Sequence, residues 1–192
     1  MATLTIDFIM SLDGYGAAEG WPGLWGIESS DYLEFLETDD AKPHTALMGA
    51  TTYRLMSGFA KDMPEDPGLQ SLTAVPKRVF SSSIQEPLEW SNSELVSGDG
   101  VEAVRGMKES DQHPLRTIGS LSLSRSLLKA GLVDRYRVVV FPVVNGMTGK
   151  DRLFDDYPDL ALELVEHRTF DKGLQLLEYE PEVLKGPPGV EG

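Results

Sequence analysis

Apolar positions recur with two different periods along the chain. Leu4 to Met10 alternates apolar and polar side chains, which is typical of a half-buried strand. Tyr136 to Val144 is apolar without alternation, which predicts a strand covered on both faces. Between them lie segments whose apolar residues recur three and four positions apart, as on one face of a helix. This alternation of strands and helices predicts an α/β layered fold.

Capping and turn residues place the other elements. The clearest stretch is Leu115 to Val144, which predicts a strand, a Gly119-Ser120 turn, a helix that Gly131 ends, and a second strand. Two long loops are predicted, Ser11 to Glu28 and Pro64 to Pro76. The remaining predictions are a helix from Ser29 or Ser30, a strand Thr45 to Met48, a helix from Thr51 or Thr52, a strand Arg78 to Phe80 and a helix from near Asp99.

The last part of the chain predicts an antiparallel hairpin. Its strands are Glu163 to Phe170 and Leu174 to Tyr179, and Asp171-Lys172-Gly173 makes the turn, with glycine supplying a positive φ. A length of 192 residues fits one globular domain, which we place at residues 1–184. Residues 185–192 are rich in glycine and proline and are predicted to form a flexible tail.

The composition narrows the possible function classes. The chain has no cysteine, which excludes disulfides, thiolate metal sites and a cysteine nucleophile. Its formal net charge of -14, without a concentrated basic patch, disfavours nucleic acid and anionic lipid as partners. No apolar run approaches the ~20 residues of a membrane span and no signal peptide is recognised, so we expect a cytoplasmic protein. The three histidines lack a metal-like spacing, so no metal site is predicted.

Small residues separate a strand from a helix at two places, Met48-Gly49-Ala50-Thr51-Thr52 and Ile118-Gly119-Ser120-Leu121. The first turn of a helix offers free N–H groups and a positive dipole end, and a small residue lets a phosphate approach the backbone. The two turns can therefore cradle a pyrophosphate, although glycine and threonine are also ordinary loop and cap residues. Ser81-Ser82-Ser83 is open to the same two interpretations, as a contact with a ribose phosphate or as a polar turn.

Asp31 and Asp13 are the candidate catalytic residues. Asp31 lies in a predicted first helical turn, after a loop that carries Trp21 and Trp25. Aromatic neighbours desolvate a carboxyl group and raise its pKa, which suits acid–base work, but a first-turn aspartate is also favoured by the helix dipole alone. Asp13 is the reserve candidate, or else a turn residue that hydrogen-bonds its own backbone.

An ordered set of motifs covers the chain from about Leu4 to Tyr179. They are Ser11-Leu12-Asp13-Gly14-Tyr15, Met48-Gly49-Ala50-Thr51-Thr52-Tyr53, Pro76-Lys77-Arg78-Val79-Phe80-Ser81, and a long run from Ile118 through Pro142-Val143-Val144-Asn145-Gly146 to Phe154. Together they resemble the dihydrofolate-reductase-like family formed by the C-terminal domains of bacterial riboflavin-biosynthesis (RibD) reductases. Each motif alone is weak, whereas the ordered set is much more specific.

The resemblance implies a three-layer fold, in which helices flank a mostly parallel sheet with an antiparallel C-terminal hairpin. It implies hydride transfer from NADPH to a pteridine-like or pyrimidine-like small molecule, in a homodimer. The Gly119–Ser120 bond matches a place where the wider fold often has a cis peptide, and Asp31 matches the helix position of a substrate-orienting or proton-relaying acid. The implied cofactor contacts are Gly49, Thr51 and Thr52 near the phosphates, Ser81 and Ser82 at the adenosine ribose, and Gly119, Ser120 and Leu121 at the pyrophosphate.

Two departures from the family pattern concern the choice of cofactor. The family often has arginine where Ala50 and Ser82 stand, and those arginines resemble a clamp for the 2′-phosphate of NADPH. NADH is therefore the alternative cofactor, and Arg54 and Arg78 are the candidates to replace the missing cations.

Three functions are compatible with these residues. The first is a reductase that uses NADPH or NADH on a small molecule. The second is a catalytically inactive protein that keeps the fold and binds a nucleotide or another small ligand. The third, a ligand-free dimerisation domain, gives no reason for glycines at both strand exits.

Overall fold

The computed structural model describes residues 1–20, 24–27 and 29–189. The described chain contains ten strands, five α-helices and three short 3-10 turns. The strands are β1 Leu4–Ser11, β2 Tyr15–Ala18, β3 Thr45–Gly49, β4 Lys77–Phe80, β5 Ser93–Val96, β6 Leu115–Thr117, β7 Arg135–Phe141, β8 Gly149–Arg152, β9 Leu160–Thr169 and β10 Gln175–Val183. The helices are α1 Ser30–Asp40, α2 Ala50–Asp62, α3 Pro67–Ala74, α4 Gly100–Ser110 and α5 Leu121–Lys129, and the 3-10 turns are Leu24–Gly26, Gly146–Thr148 and Asp171–Gly173.

Eight of the strands form one twisted sheet in the order β5-β4-β3-β6-β1-β7-β10-β9. The first six of these are parallel, while β10 runs antiparallel to both β7 and β9. Helices α4 and α5 pack on one face, and α1, α2 and α3 pack on the other. The predicted three-layer α/β fold with an antiparallel terminal hairpin is confirmed. None of the helices in the described ranges is long and apolar enough to cross a membrane.

The central position of β7 in the sheet explains why apolar and polar residues do not alternate in its sequence. It lies between β1 and β10, so neither edge is free. Val138 packs into the core under α4 and α5, and Val139 packs into the core under α1. Both faces therefore need apolar side chains, as the sequence predicts.

Two predicted loops contain regular structure. Helix α3 begins in the predicted loop 64–76, where the Asp66 carboxylate accepts a hydrogen bond from the Leu69 N–H at 2.9 Å and Pro67 takes the first helical position. An aspartate followed by proline is a helix-start signal that explains this difference. Within the predicted loop 11–28, β2 pairs with β8 in a separate two-stranded sheet.

Lys77, the first residue of β4, is fully buried, and its ammonium group lies at the C-terminal end of α3. Its ammonium group donates to the carbonyl oxygens of Leu72, Thr73 and Val75 at 2.8, 3.0 and 2.8 Å, and lies 4.6 Å from the centre of the Trp90 ring. Burial lowers the pKa of Lys77 to about 8. The lysine satisfies carbonyl groups at the end of α3 and just after it, and so fixes α3 against the start of β4.

A buried ion network joins α1 to three neighbouring strands. Asp7 on β1 accepts hydrogen bonds from Arg116 on β6 and Arg137 on β7 at 2.6 and 2.5 Å. Asp39, in the last turn of α1, lies 2.7 Å from Arg137 and 3.0 Å from Arg116. Burial raises the pKa values of both carboxyl groups, but the two guanidinium groups hold the pKa of Asp7 below its usual range. Arg137, a hydrogen bond from Lys42 and Arg116 together lower the pKa of Asp39 to about 2.

Strand β9 forms one edge of the sheet and pairs with β10 alone among the described strands. The pairing shifts by one residue between Glu178 and Tyr179, so that Val165 has no partner in the ladder. This irregularity is a β-bulge. All of β9 after Leu160 is exposed to solvent.

The parallel strands leave their carboxyl ends at one edge of the sheet. The last residues of β3 and β6 are Gly49 and Thr117, and these two strands are direct neighbours. Helix α2 begins immediately after β3, and α5 begins four residues after β6. The crevice outside the carboxyl ends of such strands is the usual ligand site of open α/β sheets.

Candidate functional site

The two predicted strand-to-helix turns touch each other at this edge. The Gly49 N–H donates a hydrogen bond to the Ser120 Oγ at 2.6 Å, and the Thr52 Oγ1 lies 3.0 Å from the same oxygen. A Cβ on Gly119 would lie 3.3 Å from the Thr52 Oγ1. Gly119 and Ser120 both have left-handed backbones, with φ of 55° and 64°. The structure therefore brings Gly49, Thr52, Gly119 and Ser120 into one contact.

The helices that begin at these turns lack the side-chain caps that α3 and α4 carry. Asp66 caps α3 and Asp99 caps α4, each by accepting from backbone N–H groups of the first turn. The residues at the corresponding positions of α2 and α5, Gly49 and Ser120, make no such side-chain hydrogen bond, and neither first turn contains an acidic residue. Two positive helix ends are thus left without a carboxylate.

This arrangement fits a diphosphate. Backbone N–H groups at uncapped helix starts bind anions, and glycine permits close approach to the backbone. Of the other predicted contacts, Thr51 is exposed in the first turn of α2, and Leu121 is the first residue of α5. The donors to the diphosphate are backbone N–H groups and not basic side chains. A chain with a net charge of -14 can therefore still hold an anionic ligand here.

One expectation about these turns is wrong. The Gly119–Ser120 peptide bond is trans, whereas the Glu86–Pro87 bond is cis. Positive φ values at Gly119 and Ser120 produce the tight strand-to-helix connection instead.

The serines after β4 form a compact turn. The Ser81 Oγ accepts hydrogen bonds from the N–H groups of Ser83 and Ile84, both at 3.0 Å. Ser82 is exposed and its side chain has no hydrogen-bond partner within the described residues. Ser81 thus shapes the turn, and Ser82 presents a free hydroxyl at the strand exit next to the Gly49 turn.

The two candidate cations near this turn have different environments. Arg78 lies 2.8 Å from the Glu94 carboxylate on the neighbouring strand β5. Arg54 projects from α2 and donates to the Ser83 Oγ at 3.3 Å. Only the Arg54 guanidinium reaches the serine turn.

The raised pKa expected for Asp31 is wrong. Asp31 lies in the first turn of α1, where its carboxylate accepts hydrogen bonds from the Ser29 hydroxyl at 2.5 Å and the Asp171 N–H at 3.0 Å. The bond from Ser29 is the main reason why the pKa of Asp31 lies below its usual value. Trp21, which contributed to the expectation, lies outside the described residues. Asp31 is an anion at neutral pH.

Asp13 joins two loops. One carboxylate oxygen accepts from the Ser11 hydroxyl at 2.7 Å and the Asn145 N–H at 3.1 Å, and the other accepts from the Gly146 N–H at 2.9 Å. These hydrogen bonds, the one from Ser11 above all, lower the pKa of Asp13 to about 2. The carboxylate thus holds the β1–β2 turn against the segment that follows β7.

Sequence reasoning missed a second link in the same place. The Trp25 indole N–H donates to the Asn145 Oδ1 at 2.9 Å, and its ring centre lies 5.0 Å from that of Phe141. The Asn145 side chain also donates to the Ala17 carbonyl oxygen at 3.4 Å. Asn145 therefore connects the loop after β2 with β2 itself. An Asn-Gly pair after a buried strand was the only signal of this role in the sequence.

Comparison with solved structures supports the fold. A putative riboflavin biosynthesis protein from Shewanella sp. PV-4 superposes with a TM-score of 0.70 at 21% identity, over 95% of this chain and 99% of that one. Dihydrofolate reductase from Enterococcus faecalis, complexed with NADP(H) and RAB-propyl, gives a TM-score of 0.61 at 14% identity, over 93% and 96% of the two chains. At these identities the likeness shows a shared dihydrofolate-reductase-like fold.

Sequence comparison identifies the family. The uncharacterized protein YyaP of Bacillus subtilis (strain 168) is 26% identical over 182 residues, which covers 92% of this chain and 93% of that protein. Residues 2–176 match the RibD C-terminal domain. Because this match spans nearly the whole chain, the protein belongs to the RibD C-terminal domain family.

Proposed function

We propose that this protein is a reductase that binds a nicotinamide dinucleotide, NADPH or NADH, and reduces a pteridine-like or pyrimidine-like small molecule. The observation that carries the proposal is the contact between two uncapped helix starts through Gly49 and Ser120. Membership in a family of reductase domains supports it, as does the shared fold with a dihydrofolate reductase that is complexed with NADP(H).

The residues of the two turns would hold the diphosphate of the dinucleotide. Backbone N–H groups of the first turns of α2 and α5 are the donors, and Gly119 leaves room for close approach. The exposed Thr51 and Ser82 hydroxyls are available to the phosphates and to the adenosine ribose. The bound cofactor supplies the hydride, while the protein orients the ring and excludes water.

For the substrate side we propose an orienting role for Asp31, with Asp13 in reserve. Both carboxylates are anions at neutral pH, because hydrogen-bond donors lower their pKa values. An anionic carboxylate accepts hydrogen bonds from ring N–H groups of a pteridine or pyrimidine and does not act as a proton donor.

Calorimetric titration with NADPH and, separately, with NADH tests this proposal. We expect micromolar binding of at least one dinucleotide, since the uncapped N–H groups gain charge-assisted hydrogen bonds. If neither dinucleotide binds at millimolar concentration, the assignment as a reductase is wrong.

A binding protein without catalysis is the second candidate function. The observation in its favour is that the hydrogen bonds to Asp31 and Asp13 come from the protein's own loops, so these carboxylates already have structural roles. Oxidation of the bound reduced cofactor by any reducible pterin, pyrimidine or quinone-like ring, followed by the loss of nicotinamide absorbance, excludes this candidate.

We also propose that the protein is a cytoplasmic homodimer. Strand β7 is not available for the interface, because β1 and β10 cover both of its edges. On the terminal hairpin, Leu162 and Leu164 pair with Pro181 and Tyr179, so these side chains share one face. Leu162, Leu164 and Val183 are 44%, 50% and 39% exposed. Exposed apolar groups on one face are typical of an association surface.

Sedimentation equilibrium at micromolar concentration should therefore give twice the 21.1 kDa mass of the chain. Leu164→Glu places a charge in the contact and should give a monomer. Leu55→Glu is the matched control, because Leu55 is 51% exposed on α2, away from the hairpin. A monomeric parent, or equal behaviour of the two variants, contradicts an interface on this face.

A further inference from the structure

The serine before α1 does not cap the helix. Ser29 occupies the N-cap position, where a serine oxygen usually accepts a hydrogen bond from the backbone of the first turn, but its side chain makes no such bond. Its hydroxyl instead donates to the Asp31 Oδ1 at 2.5 Å. Ser29 is only 3% exposed, so the hydroxyl itself is shielded from a ligand. The start of α1 thus gives up a side-chain cap, and the hydroxyl holds a carboxylate.

The other oxygen of this carboxylate is held by the terminal hairpin. The Asp31 Oδ2 accepts a hydrogen bond from the Asp171 N–H at 3.0 Å. Asp171 is the second residue of a tight turn, which a hydrogen bond from the Gly173 N–H to the Phe170 carbonyl oxygen closes at 3.2 Å. The Phe170 ring packs edge-on against Tyr32 of α1, with ring centres 5.3 Å apart. The turn is therefore fixed against α1, and the N–H is fixed with it.

Asp31 keeps both its charge and acceptor capacity for a ligand. A carboxylate has about four lone-pair sites, and the two internal donors use one on each oxygen. Asp31 is partly exposed and forms no ion pair within the described residues. The charged residues that α1 and the hairpin carry next to it are Glu34, Arg168, Asp171 and Lys172. The hydrogen bond from Ser29 outweighs their charges and lowers the pKa of Asp31.

Resting on the proposed function, we infer that Ser29 and the turn of the terminal hairpin are positioning groups of the substrate site. Each donates one hydrogen bond to a different oxygen of Asp31, which fixes the plane of the carboxylate and leaves its remaining lone pairs for the N–H groups of a substrate ring. A carboxylate that is already fixed loses little conformational freedom when the ring binds. The hairpin is thus part of the substrate site, although Asp171 lies 140 positions from Asp31.

Ser29→Ala and Asp171→Pro each remove one of the two donors. Proline suits the second position of a tight turn, and Phe170 before it is already extended. Within the described residues, the Asp171 N–H makes no hydrogen bond besides the one to Asp31. Pterin is the probe, because it presents an amino group and a ring N–H side by side, and its own fluorescence measures the Kd.

We expect the Kd for pterin at pH 7 to rise about 5-fold in each variant, because the carboxylate is no longer held in place. In the parent, the Kd should stay constant from pH 7 down to pH 4.5. In each variant it should rise roughly a further 2-fold over that range, because a carboxylate with fewer donors takes up a proton more readily.

Asp171→Ala is the matched control, since it removes the same side chain and keeps the N–H. It should retain the parental Kd and pH profile. If Ser29→Ala and Asp171→Pro lower only the unfolding free energy and bind pterin as the parent does, these groups merely hold the loop and the inference is wrong. It is also wrong if the parent binds a dinucleotide but no pterin, and the reductase proposal then stands with another substrate. If the parent binds neither dinucleotide, the proposed function itself fails.

Discussion

Gly119→Val should raise the Kd for NADPH roughly 100-fold, because one or two charge-assisted hydrogen bonds to the diphosphate, worth about 2–3 kcal/mol, are lost. Valine is unfavourable at position 119 for two reasons. The left-handed backbone at Gly119 is unfavourable for a β-branched residue, and a Cβ there would lie 3.3 Å from the Thr52 Oγ1. Both effects disturb the contact between the two turns. Calorimetric titration measures the change.

Gly131→Val is the matched control for this prediction. Gly131 follows the other end of α5, has a φ of 63°, and has no atom within 4 Å of the position of a Cβ. The control therefore imposes a similar backbone penalty without touching the proposed site, and NADPH binding should persist. Parental affinity in the Gly119 variant would show that the dinucleotide does not bind at these turns.

Arg137→Met should have the largest effect on stability, a loss of about 3 kcal/mol, because it leaves two buried carboxylates to share the guanidinium of Arg116. Arg137 contacts both Asp7 and Asp39, and all three side chains are less than one fifth exposed. Urea unfolding at pH 7 measures the loss. Arg105→Met removes an exposed ion pair with Glu102 and should cost less than about 1 kcal/mol.

The pH dependence distinguishes this network from ordinary packing. In the parent, the native pKa values of Asp7 and Asp39 lie below those of the unfolded chain, so their contribution to stability is present above about pH 4 and is lost as the pH falls toward 2. In the variant, Asp7 and Asp39 keep Arg116 but lose Arg137, so their pKa values are lowered less than in the parent and acid removes less stability. The difference in unfolding free energy should therefore be smaller at pH 3 than at pH 7. A difference independent of pH would mean that Arg137 acts through packing alone.

The elements that could be predicted from the sequence are those whose signals are local. The unalternating apolar run of β7 and the Gly131 that ends α5 both follow from neighbouring residues. Helix α3 was missed because proline and glycine suggested a loop, although Asp66 and Pro67 are helix-start residues. The pairing of β2 with β8 joins segments over 130 residues apart, and no local pattern encodes such a partner.

The candidate site shows the same difference between local signals, which the sequence reveals, and long-range contacts, which it does not. The glycine turns were found because the transition from strand to helix is visible in the sequence. The contact of Ser120 with Gly49 spans 71 positions and could not be read from it. For Asp31 the sequence suggested a raised pKa and a role as an acid. In the folded chain its pKa is set by hydrogen bonds from the Ser29 hydroxyl and the Asp171 N–H. Protonation states depend on donors that only the folded chain brings together.

The unpaired Val165 on β9 has a consequence for how copies of this protein can meet. A long exposed edge strand is a template for backbone pairing with another chain, and repeated pairing of that kind produces open-ended aggregates. The bulge interrupts the ladder in the middle of the edge and bends the strand, so a straight incoming strand cannot follow it. Association through the leucine-bearing face of the hairpin is not affected. The bulge thus disfavours fibrous aggregation through this edge, and it leaves the hairpin face free for the two-fold association proposed above.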